Sequence, residues 1–104
     1  MLPSKQRLSG ADFLGRRYGV VRTPYFSLKT TPNNLTFHRL GVIISRASIK
    51  SAVRRNFWRR QTAAMIDFIP GKPKDVIVIF SGKIKNLTKA SFQVEFKKAI
   101  SQQL

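Results

Sequence analysis

Few residues of this 104-residue chain are of types that could make or break covalent bonds. The single histidine is His38, cysteine is absent, and no glycine-rich phosphate loop is present. General acid–base catalysis needs a partner group within hydrogen-bond reach, and metal-assisted hydrolysis needs clustered carboxylates. The four acidic residues are scattered without metal-ligand spacing: Asp12, Asp67, Asp75 and Glu95. We therefore expect no catalytic residue and no metal site, a structural His38, and an Asp12 that stabilises the first turn of a helix.

Cationic side chains are concentrated in residues 46–60, where six of fifteen residues are Arg or Lys and none is acidic. At about 100° per residue, a helix here would be apolar on one face and cationic on the other. The predicted core face comprises Val53, Phe57, Ala64 and Phe68; the predicted cationic face comprises Arg55 and Arg59, flanked by Asn56 and Arg60. Like charges one turn apart repel each other, and a bound polyanion would relieve that repulsion. Because guanidinium groups donate paired hydrogen bonds to phosphate, the stretch predicts polyanion binding rather than a solvated face.

The overall charge of the chain also indicates a polyanionic partner. Twenty Lys and Arg residues against four acids give a net charge of +16, while 42% hydrophobic residues indicate a folded globule. Such a charge favours nucleic acid or an anionic membrane as partner. The length predicts one domain over residues 1–104. No apolar run is long enough to span a membrane, no signal region follows the N-terminus, and the absence of cysteine fits a reducing cytoplasm.

The periodicity of apolar residues predicts six secondary-structure elements. A basic arm (1–8) and a short helix (9–18) precede strands at 23–30 and 35–45, which are predicted to pair as a hairpin through the turn 31–34. A helix capped by Ser48 covers 49–68, a buried central strand 76–80, and a last helix 88–102. That last helix carries an apolar stripe of Phe92, Phe96, Ala99 and Ile100. The predicted class is α+β, a two-layer α/β sandwich of order α-β-β-α-β-α, with helices on one side and a sheet face left for a ligand.

Residues 52–60 read Ala52-Val53-Arg54-Arg55-Asn56-Phe57-Trp58-Arg59-Arg60 and follow the strand-like run Arg39–Arg46. Together with Leu8–Phe13, Phe26–Leu28 and Asp75–Ile79, they resemble the protein component of bacterial ribonuclease P, whose signature is Ala-x-x-Arg-Asn-Arg-x-Lys-Arg. The resemblance covers about residues 3–101. Three places depart from it: Phe57 replaces the second arginine of Arg-Asn-Arg, Ala63 and Ala64 replace an Arg-Glu pair, and Arg16 stands where an aromatic residue is expected.

This resemblance implies an RNA-binding subunit that is not catalytic by itself. Members join a catalytic RNA, and the ribonucleoprotein removes the 5′ leader of precursor tRNA. The resemblance further implies a ribosomal-protein-like fold with a left-handed βαβ crossover. It implies Mg²⁺ bound mainly by the RNA, one protein per RNA, a broadened substrate range and a cytoplasmic location.

Two binding surfaces are expected on this basis. The surface for the catalytic RNA comprises Arg46, Lys50, Arg54, Arg55, Asn56, Arg59 and Arg60. The cleft for the single-stranded leader, between the first helix and the sheet, comprises Phe13, Arg16, Arg17, Ser27 and Lys29. Phe13 could equally belong to the core, and Trp58 is expected in the core or at its boundary rather than stacked on RNA.

Three other functions compete with this interpretation. A ribosomal or other RNA-structural protein would share the composition but not the motif and element order. A DNA-binding module would insert the basic helix into a major groove, yet a strand rather than a helix-turn-helix precedes it. An interfacial membrane helix would need the apolar stripe that a one-domain core also needs. We therefore expect neither DNA nor membrane as partner.

Overall fold

The computed structural model describes residues 4–8 and 18–102. The predicted first helix, including Asp12, Phe13, Arg16 and Arg17, lies outside these residues apart from its last position. The strands are β1 (Gly19–Arg22), β2 (Phe26–Pro32), β3 (Arg39–Ile43) and β4 (Lys74–Phe80); the α-helices are α1 (Ala52–Ala63) and α2 (Lys89–Ser101). Short 3-10 turns cover Ser4–Gln6, Ile66–Phe68 and Gly82–Asn86.

The four strands form one sheet in the order β1-β2-β4-β3. Strand β4 lies between β2, with which it is antiparallel, and β3, with which it is parallel. The prediction of a central strand near residues 76–80 is therefore confirmed, but the predicted hairpin of β2 with β3 is wrong. The apolar run of β4 takes the place between these two strands, and α1 makes the crossover from β3 to β4. Its left-handed sense stays a prediction.

A hairpin does form, between β2 and the strand β1, which the sequence analysis did not predict. Arg22 pairs with Ser27, so the turn between the strands is tight. The Thr23 hydroxyl closes it by accepting hydrogen bonds from the backbone N–H groups of Tyr25 (3.2 Å) and Phe26 (3.0 Å). Since Thr23 belongs to this turn, β2 begins at Phe26 rather than at residue 23.

Both helices cover the same face of the sheet, so the predicted two-layer α+β sandwich is confirmed. Phe26 of β2 contacts Phe92 and Phe96 of α2, with ring centroids 5.6 and 6.4 Å apart. Trp58 of α1 contacts Phe92 and Phe80, with ring centroids 5.4 and 6.1 Å apart. The whole predicted stripe of α2 is buried, including Ala99 and Ile100. This aromatic cluster joins the sheet and both helices in one core.

Helix α1 is rotated relative to the prediction. Val53 is 74% exposed and Phe68 is 54% exposed, whereas Trp58 and Thr62 are fully buried. The helix ends at Ala63, so Phe68 is no longer in phase with it, and burying an indole removes more apolar surface from water than burying a valine. The cap is also different: Ser51, not Ser48, accepts a hydrogen bond from the Arg54 N–H at 3.2 Å.

A buried ion pair fixes the parallel strands. Asp75 on β4 is fully buried, and Arg39 on β3 donates to both of its carboxylate oxygens, at 2.8 and 2.6 Å. The Asn33 amide donates to the same carboxylate (3.0 Å) and to the carbonyl of Phe37 (3.1 Å). These bonds hold the connection between β2 and β3 against β4, because each polar group would be costly to bury unpaired.

We expect Asp75→Ala to lower the free energy of unfolding by about 3 kcal/mol, because it leaves the Arg39 guanidinium without its counter-charge in a largely buried position. Urea unfolding followed by circular dichroism measures this value. The control Asp67→Ala removes an exposed acid and should change stability by no more than about 0.5 kcal/mol. Equal unfolding midpoints for the two variants would contradict the assigned role of Asp75.

Candidate nucleic-acid interface

The cationic surface begins in the turn before α1. Residues 45–48 form a turn in which the Ser45 hydroxyl accepts the Ser48 N–H at 3.1 Å. Arg46 and Lys50 are exposed on either side of Ser48 and Ile49, and Ile49 anchors the segment in the core. Their charged ends are therefore available to a partner while the backbone between them is fixed.

Arg55 has a structural role as well as a charge. Its guanidinium donates to the backbone carbonyls of Ile49 and Lys50, at 2.8 and 2.9 Å. These bonds tie the first turns of α1 to the preceding segment. Arg55 therefore positions Lys50 relative to the helix, a role that helical spacing could not reveal.

The outward face of α1 carries Arg54, Asn56 and Arg60, all of which are exposed. The Arg54 guanidinium lies over the ring of Phe57, 5.2 Å from its centroid, and that ring packs edge-on against Trp58 at 5.0 Å. Phe57 is therefore half-buried at the margin of the core, and its outer ring face makes a cation–π contact with Arg54.

Arg59 and Arg55 do not lie opposite the core as predicted. Both are half-buried at the side of the helix next to its buried face, because α1 turns Trp58 and Thr62 toward the sheet. Arg59 lines a groove beside β3 together with Arg7. All seven predicted residues thus lie on or just before α1, but they spread over its outward face and one flank.

The cations of this helix surface form no ion pair with an acidic side chain among the residues that the structure describes. Within residues 4–8 and 18–102, the one ion pair given by the geometry is Arg39–Asp75, on the sheet. Arg54 and Arg60 make no ion pair inside that part of the chain, so like charges face solvent together. An anion with regularly spaced charges would relieve their repulsion.

A second surface lies on the opposite face of the sheet. Directly paired residues share a face, so Arg22, Ser27, Ile79 and Ile43 form one row across all four strands. Lys29 lies in the next row, between Val20 and Ile77. Ser27 and Lys29 are half-buried and Arg22 is exposed, which places the two described residues of the predicted cleft on one surface.

Arg22 belongs to this sheet surface and was missed in the sequence analysis. The tandem β-branched residues Val20 and Val21 before it are a strand signal, but the run of four is short and follows the predicted helix directly. Once β1 is placed beside β2, Arg22 becomes the cross-strand neighbour of Ser27.

His38 has a structural role, as expected. Its ring nitrogen Nδ1 accepts a hydrogen bond from the backbone N–H of Lys74 at 3.1 Å, which joins the start of β3 to the start of β4. Among residues 4–8 and 18–102, no three His, Cys, Asp or Glu side chains come close enough together to hold a metal ion.

Comparison with known proteins identifies the family. The family model described as Ribonuclease P matches residues 3–103. The chain belongs to this family. It is 32% identical over 83 residues to the ribonuclease P protein component of Pseudanabaena sp. (strain PCC 6903), covering 76% of this chain and 72% of that one. The resemblance inferred from the helix signature and element order is thus confirmed.

Solved structures agree in fold. The RNase P protein of Staphylococcus aureus superposes with a TM-score of 0.81 at 24% identity, covering 93% of this chain and 94% of that one. The RNase P protein of Thermotoga maritima gives a TM-score of 0.70 at 18% identity, covering 82% and 83%. Family membership makes the chain a protein subunit of ribonuclease P, an endoribonuclease acting on precursor tRNA, with a role in tRNA processing.

The structural role of Arg55 is testable by stability measurements. We expect Arg55→Ala to lower the free energy of unfolding by about 1 kcal/mol, because two backbone carbonyls lose their donor. Urea unfolding at high salt, where repulsion between the cations is screened, isolates this effect. The control Arg60→Ala removes an equal charge from the exposed face and should leave stability within about 0.5 kcal/mol. Equal losses in both variants would argue against the anchoring role.

Proposed function

We propose that this ribonuclease P subunit binds the catalytic RNA through the helix surface and the 5′ leader of precursor tRNA through the sheet surface. Its part in leader removal is then to bind and position RNA, while the chemistry belongs to the RNA. The observation that carries the proposal is the cationic surface of α1, which forms no ion pair among the described residues and sits on a helix anchored by Trp58.

The positions of the two surfaces support simultaneous binding. Helix α1 packs on one face of the sheet, whereas Ser27 and Lys29 lie on the other. Two RNA segments could therefore be held at once without competing for the same side chains. On the sheet surface, Arg22 and Lys29 would contact the leader backbone, and the exposed part of Ile43 offers an apolar platform that tolerates any base.

The metal of the reaction belongs, in this proposal, to the RNA. Described residues offer no cluster of ligands for Mg²⁺, so no step is assigned to a protein-bound metal. No helix within the described chain is long and apolar enough to cross a bilayer. A cytoplasmic location, a single-domain chain and one protein per RNA stay predictions.

The helix surface predicts a specific salt dependence. We expect the double variant Arg54→Ala/Arg60→Ala to weaken binding to a bacterial ribonuclease P RNA and to reduce the slope of log affinity against log salt by about 2, one for each lost phosphate contact. Filter binding over a salt series measures the slope, with duplex DNA as competitor to test the preference for structured RNA.

A charge-matched control separates local contacts from overall charge. The double variant Lys89→Ala/Lys98→Ala removes two exposed cations from α2 and should alter the slope much less. Identical slopes for the two double variants would mean that binding is diffuse and that α1 has no special part in it. Stronger competition by duplex DNA than by structured RNA would favour the DNA-binding alternative.

The sheet surface predicts a dependence on the leader. We expect Arg22→Ala/Lys29→Ala to leave assembly with the catalytic RNA intact but to weaken binding of precursor tRNA by the holoenzyme about tenfold. Binding of a matched substrate without a leader should not change. Equal effects on both substrates would contradict leader binding at this surface, and the Lys89→Ala/Lys98→Ala holoenzyme again controls for charge.

A further inference from the structure

The 3-10 turn Gly82–Asn86, which follows β4 and contains two lysines, is called the basic turn below. Strands β3 and β4 are parallel, and Ile43 near the end of one pairs with Ile79 near the end of the other. The residues that follow the two strands therefore leave the sheet at the same end. Residues 45–50, which lead into α1, follow β3, and the basic turn follows β4.

The basic turn contacts the segment that precedes α1. A Cβ atom at Gly82 would lie 3.6 Å from the carbonyl oxygen of Ser48 and 3.9 Å from its Cα atom, which is ordinary van der Waals distance. Ser48 lies between Arg46 and Lys50, both of which are exposed cations. The turn therefore packs against the stretch of backbone that carries those two charges.

Hydrogen bonds and one buried side chain fix the basic turn in place. Ser81, which precedes it, donates its N–H to the Tyr25 carbonyl at 2.9 Å and its hydroxyl to the Pro24 carbonyl at 2.8 Å. The same hydroxyl oxygen accepts the Lys83 N–H at 3.3 Å, at the first bend of the turn. Ile84 is fully buried and belongs to the core that the sheet shares with the helices. The backbone that carries the lysines is therefore held rigidly on the core.

The two lysines of the turn flank its buried residue. A 3-10 helix has three residues per turn, so Lys83 and Lys85 each lie about 120° around the axis from Ile84. Both lysine side chains are exposed. Because Ile84 points into the core on the helix side of the sheet, the lysines stand at the end of that core, beside the approach to α1.

This position adds charge to a region that is already cationic. The chain has a net charge of +16, and further like charges close together oppose the compact state by repulsion. A polyanion that lies along these charges relieves the repulsion. Lysine attracts phosphate as a point charge on a flexible stem, and contacts with phosphate position a nucleic acid without reading its sequence. The chemistry of the turn therefore fits an RNA backbone rather than a particular base.

We propose that the basic turn binds the phosphate backbone of the catalytic RNA, so that the helix surface continues through Lys83 and Lys85 past the end of the sheet. This inference rests on the proposed function and adds a site that lies outside the helix and its signature. The precursor leader is the other RNA within reach, since the turn is bonded to the connection between β1 and β2. The catalytic RNA is favoured because Ile84 places the turn on the helix side, whereas Arg22 lies on the opposite face of the sheet.

The test compares double variants of the full chain. Lys83→Gln/Lys85→Gln removes both charges of the basic turn, and Lys83→Arg/Lys85→Arg keeps them. The control Lys72→Gln/Lys98→Gln removes two exposed lysines elsewhere. Lys72 lies before β4, and the seven residues of that strand separate it from the turn by about 20 Å. Circular dichroism verifies that each variant is folded, and filter binding to a bacterial ribonuclease P RNA over a salt series measures affinity without precursor.

We expect Lys83→Gln/Lys85→Gln to weaken RNA binding about tenfold and to reduce the slope of log affinity against log salt by about 2. The arginine variant should bind like the wild type, and the control should lose less than about half as much slope. Equal losses in the two glutamine variants would overturn the proposal, because net charge alone would then explain binding. Undiminished binding by Lys83→Gln/Lys85→Gln would overturn it as well.

Footprinting and precursor binding identify which RNA lies on the turn. Hydroxyl-radical cleavage at saturating protein should show a short segment of catalytic-RNA backbone that the wild type and the control protect but Lys83→Gln/Lys85→Gln does not. Precursor tRNA should bind equally well to the three assembled holoenzymes. If Lys83→Gln/Lys85→Gln weakened precursor binding alone, the leader would be the occupant, and this inference would fail while the proposed function stood. If the wild type did not bind the catalytic RNA, the proposed function would fail first.

Discussion

The architecture depends on one buried ion pair. Asp75 on the central strand and Arg39 on the edge strand are joined by two short hydrogen bonds, and Asn33 adds a third to the same carboxylate. The chain has a net charge of +16 and four acids, so burying one of those acids beside an arginine is a strong constraint. It fixes β3 parallel to β4 and thereby places everything that β3 carries.

Strand β3 connects the cationic surface of α1 with the exposed face of the sheet. On one side it pairs with β4, and through β4 with the two strands that present Ser27, Lys29 and Arg22. On its other side it pairs with the arm, and the chain leaving it passes through the Ser45–Lys50 segment into α1. The helix surface and the sheet surface therefore stand on opposite sides of the same strands, and neither can shift without moving the core between them.

The pattern of apolar residues along the sequence predicted those elements in which the residues themselves determine which face is buried. Apart from Asp75, the buried residues of strand β4 and helix α2 are apolar, so period and composition located both elements. The pairing of β2 depends instead on β4, whose paired residues lie 42 (Pro32 with Lys74) to 54 (Phe26 with Phe80) positions later in the chain. Strand β1 is defined only by its pairing with β2. The rotation of α1 was ambiguous because Val53, Phe57 and Trp58 offered two apolar stripes, and the aromatic contacts of Trp58 with α2 and β4 decided between them. Charge singled out the cationic side chains of residues 46–60, but not the anchoring of Arg55 by backbone carbonyls.

The departure at Phe57 follows from this rotation. In the family signature that position is an arginine, and its loss would be expected to remove a cation from the RNA surface. Here the Phe57 ring packs against Trp58 on one side and lies beneath the guanidinium of Arg54 on the other. If RNA binds at this surface as proposed, the cation held over the aromatic ring has already lost conformational freedom, so less entropy is lost on binding. Compared with the family signature, this chain lacks a charge at position 57. In its place, the ring of Phe57 orders the charge of Arg54, one turn earlier on the same helix.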